Sequence, residues 1–408
     1  MSSQLRVDVS NPDTRLQAFV VVDSLVGGRA MGGTRMTGTV TMAEVAMLAA
    51  RMSLKLSWAN LPIGGAKAGI VCDRPLGPGR DERFEQFGAA VAPLLKGGVY
   101  LGSDQGTTHQ DRDRFFAASG YDAANDPAVT ALPCTWAKLW EHCEDVTGFG
   151  VCEGILAAHQ VGPAAGSAGR VVVQGFGAVG RAVAIRLAAD GFDVVGVADR
   201  IGTVAHPKGL PLPDLLAATD SLGTIDRNAL PSGLTFDDRP DAWIDVDADL
   251  LVLAAGGNAV HDGNCHRVRA RMIAEGGNLS VTPTSNRTLA ARGVSVLPDY
   301  IVNVGGAAVT ALLLTGLAPV CADAKELAAW LYADISERIR ENVATLLSHA
   351  DGVTPLTEIG FALGGRPAPV AVPVVPVPSV LADPAGPLPT ADPVPPVEGT
   401  LPPAVAVS

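Results

Sequence analysis

The sequence runs to 408 residues, with 30 basic and 42 acidic side chains, a net charge of −12 and a pI near 5.0. That length predicts two to three domains, and so acidic a chain offers no electrostatic footprint for a phosphate backbone, which speaks against nucleic acid as a partner. An apolar share of 48% speaks against global disorder.

The opening residues, MSSQLRVDVS, lack the apolar run of a signal peptide. The six cysteines are scattered and form no C-x-x-C pair, as expected of reduced thiols in a cytoplasmic protein. Residues 16–23 (LQAFVVVD) read as a strand. Residues 41–56 read as a helix, because Val45, Leu48, Ala49, Met52 and Leu56 keep helical spacing. Lys55 falls beside Leu48 at the rim of that apolar stripe, either snorkelling to water or aimed into a site. The helix is preceded by Gly32-Gly33-Thr34-Arg35 and followed by LPIGGAKAGI over 61–70. Lys67 lies there among small residues, where lost hydration is expected to lower its pKa toward that of a useful base.

Further along, Ser103-Asp104-Gln105-Gly106-Thr107-Thr108 follows an expected strand end. In 121–146, Trp136 and Trp140 stand four residues apart and read as a helical packing pair. Cys134, His142 and Cys143 could ligate a metal, but no fourth ligand follows at a useful spacing, so inert thiols and no metal are expected.

Residues 170–174 (RVVVQ), 193–198 (DVVGVA) and 249–255 (DLLVLAA) are continuous apolar runs, as in strands buried on both faces. They alternate with helical stretches such as 178–190, which predicts a parallel, doubly wound α/β sheet. After the first run comes Gly175-Phe176-Gly177-Ala178-Val179-Gly180, a G-x-G-x-x-G between strand and helix. Gly175 permits the tight turn, Gly177 a close approach of diphosphate, and Gly180 close helix–strand packing. The helix N-terminus then faces the diphosphate. Asp199 ends the second strand, 24 residues past Gly175, where it is expected to accept both ribose hydroxyls of NAD and repel the extra phosphate of NADP. Arg200 would soften that preference, so NAD is expected with NADP admissible.

The uncharged stretch 301–322 is long enough to span a bilayer, but Asn303, Gly305, Gly306, Gly316 and Pro319 interrupt it. A buried loop leading into a core helix is expected instead, with no membrane partner. A long helix is expected over 327–347. The last 43 residues hold 13 of the 30 prolines and four charges, and read as a disordered or polyproline-like tail, idle or bound by a proline-reading partner.

Taken in order, GGTRM, MSLK, LPIGGAKAGI, SDQGTT, VTGFGV, QGFGAVG, AEGGN and LPDYIVNVGG resemble the glutamate/leucine/phenylalanine/valine dehydrogenases, from about residue 15 to about residue 350. The resemblance implies NAD(P)-dependent oxidative deamination of an L-amino acid to the 2-oxo acid and ammonia by a homo-oligomer. It implies a substrate-binding and oligomerisation domain over 1–148, a Rossmann-type domain over 149–300, and a segment over 301–365 returning to the first domain, with the tail at 366–408. Lys55 is similar to the lysine that grips the α-carboxylate, Lys67 to the one that activates water, and Asp104 to the proton-shuttling aspartate. Asn303 resembles the asparagine that orients substrate and nicotinamide, and Ala254, Ala255 and Asn278 join the cofactor-binding set.

Met31 stands where glutamate enzymes carry a lysine for the side-chain carboxylate. The resemblance also places Gly102, Ala307 and Thr310 in the side-chain pocket, and two such small residues predict a roomy one. An apolar or aromatic substrate is therefore expected, since a buried carboxylate without a counter-charge is costly. Thr310 resembles the serine of glutamate enzymes and keeps glutamate as an alternative. Leu56-Ser57 after Lys55, Ala178 in the glycine loop and the unfamiliar 121–146 segment depart from the pattern. They keep open a cofactor-binding paralogue that acts through its tail as an interaction protein.

Overall fold

The computed structural model describes residues 4–72, 77, 79–123, 131–161 and 169–364. The proline-rich tail therefore lies outside the described residues, as does part of the 121–146 segment.

The chain begins with strands β1 (Leu5–Asn11), β2 (Leu16–Val22) and β3 (Ala30–Thr37), then helix α1 (Met42–Trp58) and strand β4 (Gly64–Val71). Helix α2 (Arg80–Lys96), strand β5 (Val99–Ser103) and helices α3 (His109–Ser119), α4 (Trp136–Glu141) and α5 (Val146–Val161) follow. The second half runs β6 (Arg170–Gln174), α6 (Ala178–Ala189), β7 (Asp193–Ala198), β8 (Thr203–Ala205), α7 (Leu212–Ala217), β9 (Thr235–Asp237), β10 (Leu250–Leu253) and β11 (Met272–Glu275). It ends with α8 (Pro283–Ala290), β12 (Ser295–Leu297), α9 (Asp299–Val302), α10 (Gly305–Leu314), α11 (Ala324–Ser348) and α12 (Leu356–Leu363).

The first sheet has the order β1-β2-β4-β3-β5, with β4, β3 and β5 parallel and β1 and β2 antiparallel. Its register pairs Met31 with Gly65 and Tyr100, and Gly33 with Gly102, so the glycine-rich runs lie side by side. Helix α1 starts where the Thr41 hydroxyl accepts the Glu44 amide, and buries Val45, Leu48, Ala49 and Leu56. That stripe holds the helix across the sheet and turns Lys55 inward with it.

The second sheet has the order β12-β11-β10-β6-β7-β8-β9. Five strands are parallel, as the buried valine runs predict, but β8 and β9 pair antiparallel at the edge. The expected parallel, doubly wound core is present, and a hairpin adds the antiparallel edge. Only Asp199–Gly202 separates β7 from β8, which is too short for a crossover helix, so the chain can only turn back as a hairpin. Successive crossovers leave β6 toward β7 on one side and toward β10 on the other, which opens a crevice at the strand ends.

The uncharged stretch 301–322 is largely buried in α9 and α10 up to Leu314, whereas the turn beyond them exposes Leu317 and Val320. No described helix is long and apolar enough to cross a membrane. Two straps join the C-terminal helices to α1: the Trp58 indole donates to the Gly360 carbonyl at 3.2 Å, and Arg338 donates to the Ala59 carbonyl at 2.7 Å.

Candidate active site

Strands β4 and β5 aim Lys67 and Asp104 at each other across β3, with Nζ 2.9 Å from Oδ2. Gly33 lies directly under the pair. A Cβ there would come within 2.8 Å of the Asp104 Cβ and 3.4 Å of Lys67 Nζ, so only glycine lets the pair close. Arg35 approaches the same carboxylate at 3.3 Å and holds Glu44 at 2.7 Å with its other arm. Burial alone would raise the Asp104 pKa, but the charges of Lys67 and Arg35 outweigh it and bring it down to about 2. The Asp104 amide donates to the Thr107 hydroxyl at 2.8 Å, which fixes the loop of the SDQGTT run.

Lys55 enters from α1 and is 5% exposed. Its Nζ donates to the Asn303 carbonyl at 2.8 Å and reaches Asn303 Oδ1 at 3.2 Å. Burial lowers its pKa to about 8, with the Asp299 charge opposing and Lys67 and Arg51 adding to the fall. Of the two lysines, Lys67 meets its loss of hydration with a carboxylate, whereas Lys55 has only neutral oxygens in contact. Asn303 in turn donates to the Gly276 carbonyl. Behind them Arg51 lies 3.5 Å from buried Asp299 and between the Tyr300 and Phe361 rings. Glu275 accepts the Val281 and Asp299 amides, and burial followed by the Asp299 charge pushes its pKa up.

A cavity of about 320 Å³ opens between these groups, and Met31, Gly102, Asn303, Ala307 and Thr310 all face it, with Lys55, Lys67 and Asp104. Met31 is 4% exposed. Thr310 turns its hydroxyl back to the Gly306 carbonyl at 3.2 Å. The expected roominess at Gly102 is not found. Tyr100 lies two residues earlier on the same face of β5, and a Cβ on Gly102 would already be 3.3 Å from its ring, so the tyrosine takes up the space a side chain would have used.

His109, Arg112 and Trp140 complete that wall. The two tryptophans read as one packing pair have different roles. Trp136 stacks on Tyr100 with ring centres 6.4 Å apart, while Trp140 stacks on His109 at 6.3 Å and faces the cavity. Tyr100, His109 and Arg112 stand outside every motif of the sequence. Strand alternation from Gly102 would have found the first, and the three-residue spacing on α3 the others. Cys143 is buried, which pushes its thiol up to about 12. Among the described residues no group of three or more ligand side chains could hold a metal ion.

The glycine turn stands at the crevice of the second sheet. Gly175 has φ +94°, and a Cβ there would strike Ala255 at 2.7 Å. A Cβ on Gly180 would lie 1.8 Å from the Gly175 carbonyl, whereas the space over Gly177 is open. Helix α6 begins at Ala178 with no side chain capping it, leaving its first amides free for an anion. Phe176 is buried beneath. Val179, Ala254, Ala255 and Asn278 line a second cavity of about 1090 Å³, which shares Leu48, Arg51, Asp104, Asn278 and Asn303 with the first. These residues could hold a dinucleotide, and the shared lining joins their cavity to the smaller one.

Asp199 departs from its expected role. One oxygen accepts the Ile201 and Gly202 amides and the other the Ile225 amide, and Arg227 grips both. The side chain is 2% exposed, so its acceptors are spent on the hairpin and on Arg227 instead of lying open to ribose. Arg200 turns to the Thr224 hydroxyl at 2.9 Å.

A family model described as Glutamate/Leucine/Phenylalanine/Valine dehydrogenase matches residues 141–353, and one described as Glu/Leu/Phe/Val dehydrogenase, dimerisation domain, matches residues 2–111. The chain is 36% identical to an NADP(+)-dependent glutamate dehydrogenase of Pyrobaculum calidifontis over 290 residues, 67% of this chain and 66% of that protein. It is 29% identical to an NAD-specific glutamate dehydrogenase of Staphylococcus aureus over 321 residues, 75% of each. The hetero-hexameric glutamate dehydrogenase from Thermus thermophilus, in its Leu bound form, superposes with a TM-score of 0.70 at 27% identity, over 88% of this chain and 86% of that one. L-tryptophan dehydrogenase from Nostoc punctiforme shares the fold, with a TM-score of 0.59 at 20% identity over 88% of this chain and 93% of that one.

Proposed function

The chain belongs to the glutamate/leucine/phenylalanine/valine dehydrogenase family, and from that premise we propose that it deaminates an L-amino acid with an apolar or aromatic side chain to the 2-oxo acid and ammonia, and runs the reverse reductive amination. In its reaction it is an NAD(P)-dependent amino-acid dehydrogenase. The narrower reading rests on one observation: Met31 walls the pocket, buried, where the resemblance puts the glutamate enzymes' lysine.

The roles follow from charge and reach. Lys55 holds the α-carboxylate, and Asn303 fixes Lys55, so the Cα–H bond is oriented before reaction. Gly175–Gly180, with Ala254, Ala255 and Asn278, would hold the dinucleotide, which when bound would supply the acceptor for the Cα hydride. Lys67 activates the water that adds to the resulting substrate iminium. Asp104, an anion at neutral pH, takes the proton from the amino group and returns it as the carbinolamine collapses and ammonia leaves. Arg35 keeps Asp104 aimed at Lys67. Exclusion of water from the cleft sharpens each of these interactions.

A second reading, glutamate dehydrogenase, draws on Thr310 and on the names of the relatives. Nicotinamide reduction across a panel of amino acids decides between them: leucine, phenylalanine or a relative well ahead of glutamate supports the proposal, and glutamate ahead of all of them overturns it. The proposal includes a cytoplasmic homo-oligomer, which light scattering on the purified chain checks.

A further inference from the structure

The far wall of the side-chain pocket is the part the resemblance does not assign. It combines two stacked ring pairs, Tyr100 on Trp136 and His109 on Trp140, with a guanidinium set between them. Arg112 is only 13% exposed and its Nη1 lies 3.4 Å from His109 Nδ1. The Tyr100 hydroxyl stands in the same cavity wall and can donate its proton. The Arg112 Nε and Nη2 are taken by Asp113 at 2.9 and 2.6 Å.

Resting on the reading of an aromatic substrate above, we propose that this wall is a subsite for a neutral oxygen on the far edge of an aromatic side chain, with Arg112 and the Tyr100 hydroxyl as its donors. Three observations favour a phenol-like oxygen over a carboxylate. Asp113 already balances the guanidinium charge. Burial, followed by the Arg112 charge, lowers the His109 pKa, so the imidazole is held toward its neutral form. The near wall is apolar at Met31 and Ala307, which suits the carbon body of such a side chain, while Tyr100 and Trp140 offer ring surfaces to a substrate ring.

The test compares kcat/KM for L-tyrosine and L-phenylalanine in the full chain. Tyrosine is expected ahead by about tenfold, the range for one well-made hydrogen bond to a substrate hydroxyl. Arg112→Met should lower tyrosine turnover at least about tenfold and phenylalanine turnover less than about threefold, with Arg112→Lys between the two. Tyr100→Phe, which keeps the ring, should narrow the tyrosine advantage even if Arg112→Met proves unstable. Phenylalanine equal to or ahead of tyrosine in the unaltered enzyme would overturn the subsite and leave the proposed function standing. Equal losses for both substrates in both variants would do the same. Glutamate ahead of both would overturn the function itself.

Discussion

The two ends of the substrate cavity are built in different ways. The reacting end is held by strands: Lys67 on β4 and Asp104 at the end of β5 meet over Gly33 on β3, all in one sheet register. The far wall of the side-chain end is carried mainly by helices: His109 and Arg112 rise from α3 and Trp140 from α4, beside Tyr100 of β5, and they are held by ring stacks, the Arg112–His109 contact and one exposed carboxylate, Asp113, which is 64% exposed. The first arrangement tolerates almost no substitution, because each group is fixed by backbone pairing and by glycines with no room for a side chain. The second can exchange one ring or polar tip for another without moving the sheet. On the proposed roles, reaction type and substrate choice rest on separate mechanical supports.

The comparison breaks most visibly at Lys67. Lys67→Ala should reduce kcat by about 10⁴-fold, the upper range for a positioned acid–base group, while NAD binding followed by fluorescence stays near normal. Near-normal kcat would remove Lys67 from the chemistry. Gly33→Ala changes no functional group, yet it should cost about 10² in kcat, because the added methyl pushes Asp104 and Lys67 apart. An unaffected kcat would mean that the pair need not be so close.

The next effect is one of pH. Lys55 is a cation below about 8 and loses its charge above it. Affinity for the 2-oxo acid, measured in reductive amination, should therefore weaken as pH rises through that value. Lys55→Met should raise KM by about a hundredfold and remove this dependence. A KM that stays flat across that range in the unaltered enzyme would place the carboxylate elsewhere. The smallest effect belongs to Arg227→Gln, which releases one side of Asp199. The ratio of NAD to NADP efficiency should rise by less than about tenfold, and kcat should barely move. A fall in that ratio would mean that Arg227, and not Asp199, meets the cofactor's ribose.

What could be read from the sequence follows the same division. The strands around RVVVQ and DVVGVA and the helix bearing Lys55 were legible because valine runs and helical spacing are local signals. Lys67 and Asp104, which the structure brings together, stand in glycine-rich motifs that the family resemblance singles out. Three things were not legible. The antiparallel edge of the second sheet depends on a loop length, the capture of Asp199 depends on an arginine 28 residues away, and the crowding of Gly102 depends on Tyr100 turning its ring across it. Hydrophobic periodicity reports neither a short loop's direction, nor a distant contact, nor where a ring turns. The segment around Trp136 and Trp140 read as packing because a four-residue repeat shows which side of a helix is shared and not what it faces.

The straps from Trp58 to Gly360 and from Arg338 to Ala59 carry a practical consequence. Helix α1, which delivers Lys55, is braced from behind by residues some 300 positions downstream, although no group in α12 lines the small cavity. Helix α12 is therefore part of what holds α1, through Gly360. Cutting before Leu356 would strip the indole of its acceptor and open the back of α1. An enzyme trimmed that far would also lose Thr357, Glu358 and Phe361 from the wall of the larger cavity, so both cofactor and substrate would be expected to bind poorly.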